Sequence, residues 1–299
     1  MVAPLLSYVT FNRLGLTEKS LSSILNTSDD FEMHIIDNNS TDGTWKYLQS
    51  LRDSRIKSKT KLPVNLGQVY ALNHNLVKRR EDQYFITVDN DVVIETSDWI
   101  TRFMKVFNSF PQIGLLGVQS GSPSLEAFNF LTSKTKSNLF FWEINKTYSY
   151  SEKNFEPGCC LCIKPELINE IGYYSDENGF GNTELLFRVN HCTSFKAGII
   201  KDIKISMPQL IDCNQCGYKD RCNLSKPTIT CFKIYQKLYK TDVFIDEFGW
   251  KFDETMKDLL SGSRPVYCKT ILTADYTDYE IFNLDWASEN LKFFIENAN

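Results

Sequence analysis

Residues 84–94 read YFITVDNDVVI. Tyr84 to Val88 is a short run of aromatic and β-branched residues, the composition of a buried strand. The run stops at Asp89-Asn90-Asp91. Two earlier stretches repeat the plan. Leu5-Leu6-Ser7-Tyr8-Val9 ends in Thr10-Phe11-Asn12-Arg13, and Met33 to Ile36 ends in Asp37-Asn38-Asn39-Ser40-Thr41-Asp42-Gly43, a dense turn and cap signal. Helical patterns lie between them. Thr17 can cap a helix whose apolar face is Leu21, Ile24 and Leu25, a second helix runs through Trp45 and Leu48, and a third, after Asn65-Leu66-Gly67, carries Val69, Leu72, Leu76 and Val77. The alternation predicts an α/β fold with a mostly parallel central sheet flanked by helices. Polar loops at the carboxyl ends of such strands are where open sheets bind ligands.

Four polar clusters fall at these strand ends. An acid such as Asp37 can accept hydrogen bonds from a base N–H or a ribose hydroxyl. A glycine ahead of a helix, Gly67, lets backbone approach a ligand, and the helix N-terminus favours a diphosphate. Asp89 and Asp91, two residues apart, can hold Mg²⁺ or Mn²⁺ against that diphosphate, because hard cations take oxygen ligands and keep water and phosphate in their shell. Each cluster singly reads as a solvated turn; their joint order and spacing carry the argument.

In that order, LLSYVTFNR (5–13), IIDNNSTDGT (35–44), NLGQVYALNHNL (65–76) and YFITVDNDVVI resemble the family 2 glycosyltransferases with the GT-A fold, and GYYSDENGFGNTELLFR (172–188) resembles their acceptor-side motif. The resemblance spans about residues 4–207. It implies a Rossmann-like GT-A domain that binds a nucleotide-sugar donor, UDP first among the nucleotides. By position, Thr10, Asn12 and Arg13 would line the nucleotide pocket. Asp37 would meet base or ribose with Asn39 nearby, Asn65 and Gly67 would sit by the nucleotide, and Asn73 near the donor. Asp89, Asn90 and Asp91 would form the Asp-x-Asp motif, with Asp89 toward ribose or donor sugar and Asp91 on the metal. Gly158 and Cys159 would follow a strand bordering the acceptor cleft.

Two departures qualify the resemblance. Many relatives place Glu-Asp where this chain has Gly181 and Asn182. In inverting relatives that Asp takes the acceptor's proton, which a neutral amide cannot do. Glu184 is then the first candidate base, with Asp176 or Glu177 as substitutes, or the mechanism differs. The stretch GNTELLFRV (181–189) also resembles a segment of the retaining polypeptide N-acetylgalactosaminyltransferases. Second, relatives often carry a metal-binding His after the strand read at Ile203 to Ser206. This chain has three His in all, His34, His74 and His191, and the first two read as structural.

Cys213, Cys216, Cys222 and Cys231 form a Cys-x₂-Cys knuckle with two further thiols, the spacing of a structural Zn²⁺ site. An iron–sulfur cluster or free thiols fit the same spacing. Cys159, Cys160 and Cys162 lie in an apolar run and read as core. The boundary falls near residue 210: 1–210 as catalytic domain, 211–299 as a Cys-bearing segment and an aromatic, largely helical extension. That extension could be a helical core, an acceptor platform or a dimer interface, and the oligomeric state stays open.

At 299 residues, 42% hydrophobic and 23% charged, the chain can bury a full core. A formal net charge of −4 offers no general attraction for nucleic acid. No secretory signal or apolar span is visible, so a cytoplasmic enzyme is expected. The expected activity is metal-assisted transfer of a hexosyl or N-acetylhexosaminyl group to a hydroxyl of a glycan or protein. A catalytically dead donor-binding module and a nucleotidyltransferase-like enzyme are the alternatives, though the latter usually shows a Gly-rich phosphate loop near its N-terminus.

Overall fold

The computed structural model describes residues 2–118, 129–136, 138–145, 158–207, 243–273 and 283–298. The four candidate zinc cysteines lie outside the described residues, as does the start of the extension at 211–242.

The first half alternates as the sequence predicts, with one strand, β3, that was not read from it: β1 (Leu5–Thr10), α1 (Leu14–Leu25), β2 (Glu32–Asp37), α2 (Thr44–Ser50), β3 (Ile56–Lys61), α3 (Gly67–Leu76) and β4 (Phe85–Asp89). A short β5 (Val93–Ile94), α4 (Trp99–Ser109), β6 (Ile113–Val118) and the pair β7 (Leu131–Lys136) and β8 (Leu139–Ile144) follow. Then come β9 (Cys160–Ile163), α5 (Pro165–Ile171), α6 (Asn182–Phe187) with a π-turn over Arg188–Cys192, β10 (Lys196–Ile200), β11 (Ile205–Ser206), α7 (Val243–Ser261) and α8 (Leu284–Ala298). Nine strands form one sheet in the order β3-β2-β1-β4-β9-β6-β10-β8-β7. β8 and β9 run against the rest.

Period-2 alternation divides the strand side chains between two cores. Leu6, Ile86 and Leu116 face one side, under α1 and α4, whose Leu21, Ile24, Phe103 and Phe107 are buried there. Their neighbours Leu5, Phe85 and Leu115 face the other, against Leu72 and Leu76 of α3 and Leu167 of α5. Each such side chain contributes about 1.5–3 kcal/mol by leaving water.

Strand pairing departs from expectation in the second half. Of the strand read at 203–206, Ile205 and Ser206 pair, with β5, and the sheet strand of this region lies earlier, as β10. Gly198 explains the missed strand. It weakens the pattern, yet the Phe141 ring of β8 lies where its Cβ would be, 2.8 Å away at the nearest atom. Gly158 and Cys159 lead directly into β9; the residues ahead of them, 146–157, lie outside the described residues.

The C-terminal part is stitched onto this sheet domain. Cys268 pairs as an isolated bridge with Gly172, donating its N–H to Ile171 O (2.8 Å) and accepting from Tyr173 N–H (2.9 Å). Gly172 has φ +73, and any side chain there would collide with the Cys268 carbonyl. Cys268 is buried among these groups, and burial raises its thiol pKa to about 11.

Candidate active site

Register places the ends of three parallel strands side by side. Thr10 pairs with Asp37 across β1 and β2, and Val9 pairs with Asp89 across β1 and β4. The loops that follow therefore converge at one end of the sheet.

Their polar side chains first build the loops. Asn12 and Arg13 both adopt left-handed backbone (φ 53 and 64), which Asn tolerates and Arg seldom does. The turn is locked by Asn12: its N–H donates to Ser40 Oγ (2.7 Å), and its Oδ1 accepts from Thr41 N–H (2.8 Å). Asp42 accepts from Leu14 N–H (2.9 Å) and from Thr44 N–H (3.0 Å), so one carboxylate caps the N-termini of α1 and α2. Asn38 ties the third loop, accepting from Leu66 N–H (2.9 Å) and donating to Gly67 O (3.1 Å). Asn65 accepts from Gly67 N–H (3.0 Å). Ser40, Asp42 and Asn38 were not singled out from the sequence, although all three lie in the quoted IIDNNSTDGT motif.

Thr10 and Asn90 turn inward. Asn90 Nδ2 donates to Thr10 Oγ1 (3.0 Å), and Thr10 is buried. This bond joins β1 to the Asp-x-Asp turn. Asn73 is likewise fully buried and fully used. It donates to Tyr174 O (2.9 Å) and Asp176 Oδ1 (3.0 Å) and accepts from Tyr174 N–H (3.0 Å). It anchors the acceptor-motif loop to α3. Asn39 is half-exposed beside Asp37, also in left-handed backbone (φ 69).

Asp89 and Asp91 are partly exposed. Gln68 donates to Asp89 Oδ1 (3.3 Å), and the Arg13 guanidinium pairs with Asp91 Oδ2 at 2.8 Å. A positive group thus already sits on Asp91. Two adjacent oxygen donors suit a hard divalent cation. Among the described residues no third Asp, Glu, His or Cys joins them in a metal-binding group, so a cation held here would take diphosphate and water oxygens as its other ligands.

Asp37 is fully buried. Its Oδ1 accepts from Ser40 N–H (2.8 Å), while Oδ2 has no partner. Burial raises its pKa, with Ser40 opposing. An acid raised in the folded state adds stability below the ordinary carboxylate pKa and loses it as pH rises through the folded value. Asp37→Asn is therefore expected to be more stable than the parent at pH 7 by roughly 1 kcal/mol, a gap that closes below about pH 4. Thermal melts against pH check this. If Asp37 serves a bound base or ribose, the same variant loses about 10- to 100-fold in nucleotide affinity, the size of a charge-assisted hydrogen bond.

The acceptor-side acids are all engaged. Glu184 is 1% exposed and bound by Arg188 through both oxygens, at 2.7 and 2.8 Å. The sequence makes it the first candidate base; in the structure both of its oxygens are taken by Arg188. Asp176 accepts from Asn73, Thr270 Oγ1 (2.6 Å) and Ile271 N–H (3.0 Å), and burial raises its pKa. Glu177 is buried against Arg264 and the Asn283 N–H. Both clasp the C-terminal part, so neither is free to swing in. Asn182 sits against Gly158: its Nδ2 lies 3.5 Å from Gly158 O, and its Oδ1 is buried without a partner. The next residue, Cys159, lies near both motif acids. Burial, then the charges of Asp89 and Asp91, push its thiol up to about 12, which makes it inert as a nucleophile. His191 stacks on Phe187, with ring centroids 4.4 Å apart.

Known structures share this architecture. The chain is similar to S. aureus TarS 1-349 (14% identity, TM-score 0.52, covering 87% of this chain and 81% of that one) and to the same protein in complex with UDP-GlcNAc (17%, 0.50, 67% and 56%). It is also similar to GalNAc-T7 with UDP, GalNAc and Mn²⁺ (14%, 0.50, 98% and 57%). At these identities the likeness shows the GT-A fold, and the chain spans little more than half the length of the two ligand complexes. No curated protein matches the chain. Residues 8–204 match the profile of glycosyl transferase family 2, a segment that runs from within β1 through β10 and holds every strand-end loop described above, and the chain belongs to that family.

Proposed function

We propose that the protein transfers a sugar, hexosyl or N-acetylhexosaminyl, from a nucleoside diphosphate donor to a hydroxyl of a glycan or protein acceptor. UDP is the favoured nucleotide. The observation that carries this is the convergence of Asp37, the Gly67 loop and the Asp89/Asp91 pair at one end of the sheet, inside the segment that matches the family. The ligands in the names of the similar structures, UDP-GlcNAc and UDP with GalNAc and Mn²⁺, agree with it.

Asp37 Oδ2 would accept a base N–H or ribose hydroxyl. Asp91 would hold Mn²⁺ or Mg²⁺ with Asp89 beside it, and Arg13 would release Asp91 and turn to diphosphate oxygens. The cation supplies Lewis-acid stabilisation of the departing diphosphate when bound. Arg13 adds charge stabilisation at the same leaving group. Asn182 can orient an acceptor hydroxyl but cannot take its proton.

That last point favours one second reading, a donor-binding module without turnover, because the three acids of the acceptor motif described above are engaged in structure. A screen of UDP-, GDP- and dTDP-sugars with Mn²⁺ separates the two. Hydrolysis or transfer of one donor is the expected result. Nucleotide binding by calorimetry with no turnover, even in the presence of cell-derived glycan and protein fractions, would leave the module reading. No helix among the described residues is long and apolar enough to cross a membrane; a cytoplasmic location remains part of the proposal.

A further inference from the structure

We propose that Phe294 of α8 stands in the place of the nucleobase. Its ring on Gly67 and a pyrimidine nucleoside diphosphate on Gly67 exclude one another, so the second half of α8 sets the protein's donor affinity. The inference rests on the donor reading above, and α8 lies outside the segment that matches the family.

Gly67 opens α3 with φ +84. Its N–H is taken by Asn65 and its carbonyl by Asn38, so its bare Cα face is what remains to meet a ligand. Phe294 covers that face: a Cβ built on Gly67 would lie 2.8–3.0 Å from three atoms of the ring. Phe294 stacks on Phe248 (centroids 6.2 Å, 20° between planes) and meets Phe293 edge-on. Phe11, from the β1–α1 loop, packs against the same cluster. A flat six-membered ring therefore occupies the space between the β1–α1 loop and the start of α3. Asp37 nearby has a carboxylate oxygen with neither partner nor exposed surface. A pyrimidine base in that space would replace one planar ring with another of similar size, and would add the N–H edge that Asp37 lacks.

Directional polar ties hold the first half of the helix. Asn283 N–H meets Glu177, Asn290 Nδ2 donates to Asp176 O (2.7 Å), and Lys251 Nζ reaches Asn290 Oδ1 (3.1 Å) and Glu289 (2.9 Å). The second half is seated by Phe293, Phe294 and Ala298. Apolar contacts are non-directional and can be traded for another apolar partner. Directional, buried hydrogen bonds such as those of Asn290 cannot. The first half also grips Asp176 and Glu177, so displacement at Phe294 pulls on the acceptor-motif loop.

The test is hydrogen exchange on the full chain with and without UDP, beside calorimetry of the parent, Phe294→Ala and Phe294→Leu. Expected are faster exchange in 291–298 when UDP binds and slower exchange in 9–13 and 65–68. Phe294→Ala should bind UDP about tenfold tighter, because the competent state no longer has to be vacated, and Phe294→Leu should fall between. UDP binding that protects 291–298 or leaves it unchanged would overturn the inference and make Phe294 a fixed wall of the slot. Weaker binding by both variants would do the same. The exchange measurement uses the unaltered protein, so it stands even where a variant folds poorly. No UDP binding by any of the three would overturn this inference, and the screen of GDP- and dTDP-sugars would then decide the donor reading by itself.

Discussion

Asp91→Ala is expected to abolish sugar transfer, lowering kcat by about a thousandfold or more, which corresponds to roughly 4 kcal/mol of transition-state stabilisation. Asp91 is the acid best placed to hold a divalent cation. Its carboxylate is partly exposed just past the end of β4 and pairs with the Arg13 guanidinium. Without it, two aids to diphosphate departure are disturbed together. The cation loses a ligand where no third side chain from the described residues can replace it, and Arg13 loses the partner that positions it. Charge developing on a leaving diphosphate is where fixed positive groups act most strongly. The fold should change little, since a single partly exposed ion pair is worth on the order of 1 kcal/mol. The signature is thus a collapse of kcat and of Mn²⁺ affinity by calorimetry with a melting temperature close to the parent's. Undiminished transfer by the variant would remove Asp91 from the chemistry.

Arg188→Met should have the opposite signature. Arg188 and Glu184 are each 1% exposed, one turn apart, and joined through two bonds. Arg188 also donates to Ile171 O and to Tyr173 O (2.7 Å), which tie α5 and the acceptor-motif loop to α6. Removing one partner of such a pair strands the other charge in a dry interior and costs about 3–5 kcal/mol. For a chain of this size that is a fall in melting temperature of roughly 6–15 °C, or a failure to fold. Glu184→Gln should show a smaller loss of the same kind. A catalytic base at Glu184 would instead cost about 10²–10⁴ in rate with little change in melting. Parallel melts and rates per folded molecule decide between the two, and an unshifted melt with a lost rate would restore Glu184 to the chemistry.

Asp91 and Glu184 mark the division between what the linear chain shows and what it hides. The βαβ alternation, the carboxyl-end loops and the acids they carry are legible, because side-chain period and turn chemistry are local properties written within a dozen residues. The family match follows from the same stretches. Strand direction in the second half was not legible. β8 and β9 look apolar in either orientation, and β10 is interrupted by Gly198, whose missing side chain matters only once Phe141 is beside it.

The roles within the site divide the same way. From the sequence by itself came the fold class, the strand-end clusters and the absence of an acid at position 182. Whether a polar residue faces a ligand or a neighbouring loop depends on contacts across long chain separations. Asn73 meets Tyr174 and Asp176, Glu177 meets Arg264 and Asn283, and Phe294 lies on Gly67. No local pattern encodes these pairings. Burial decides them, because a buried carboxylate or amide must find its partner within the fold, and only the tertiary structure brings that partner within reach.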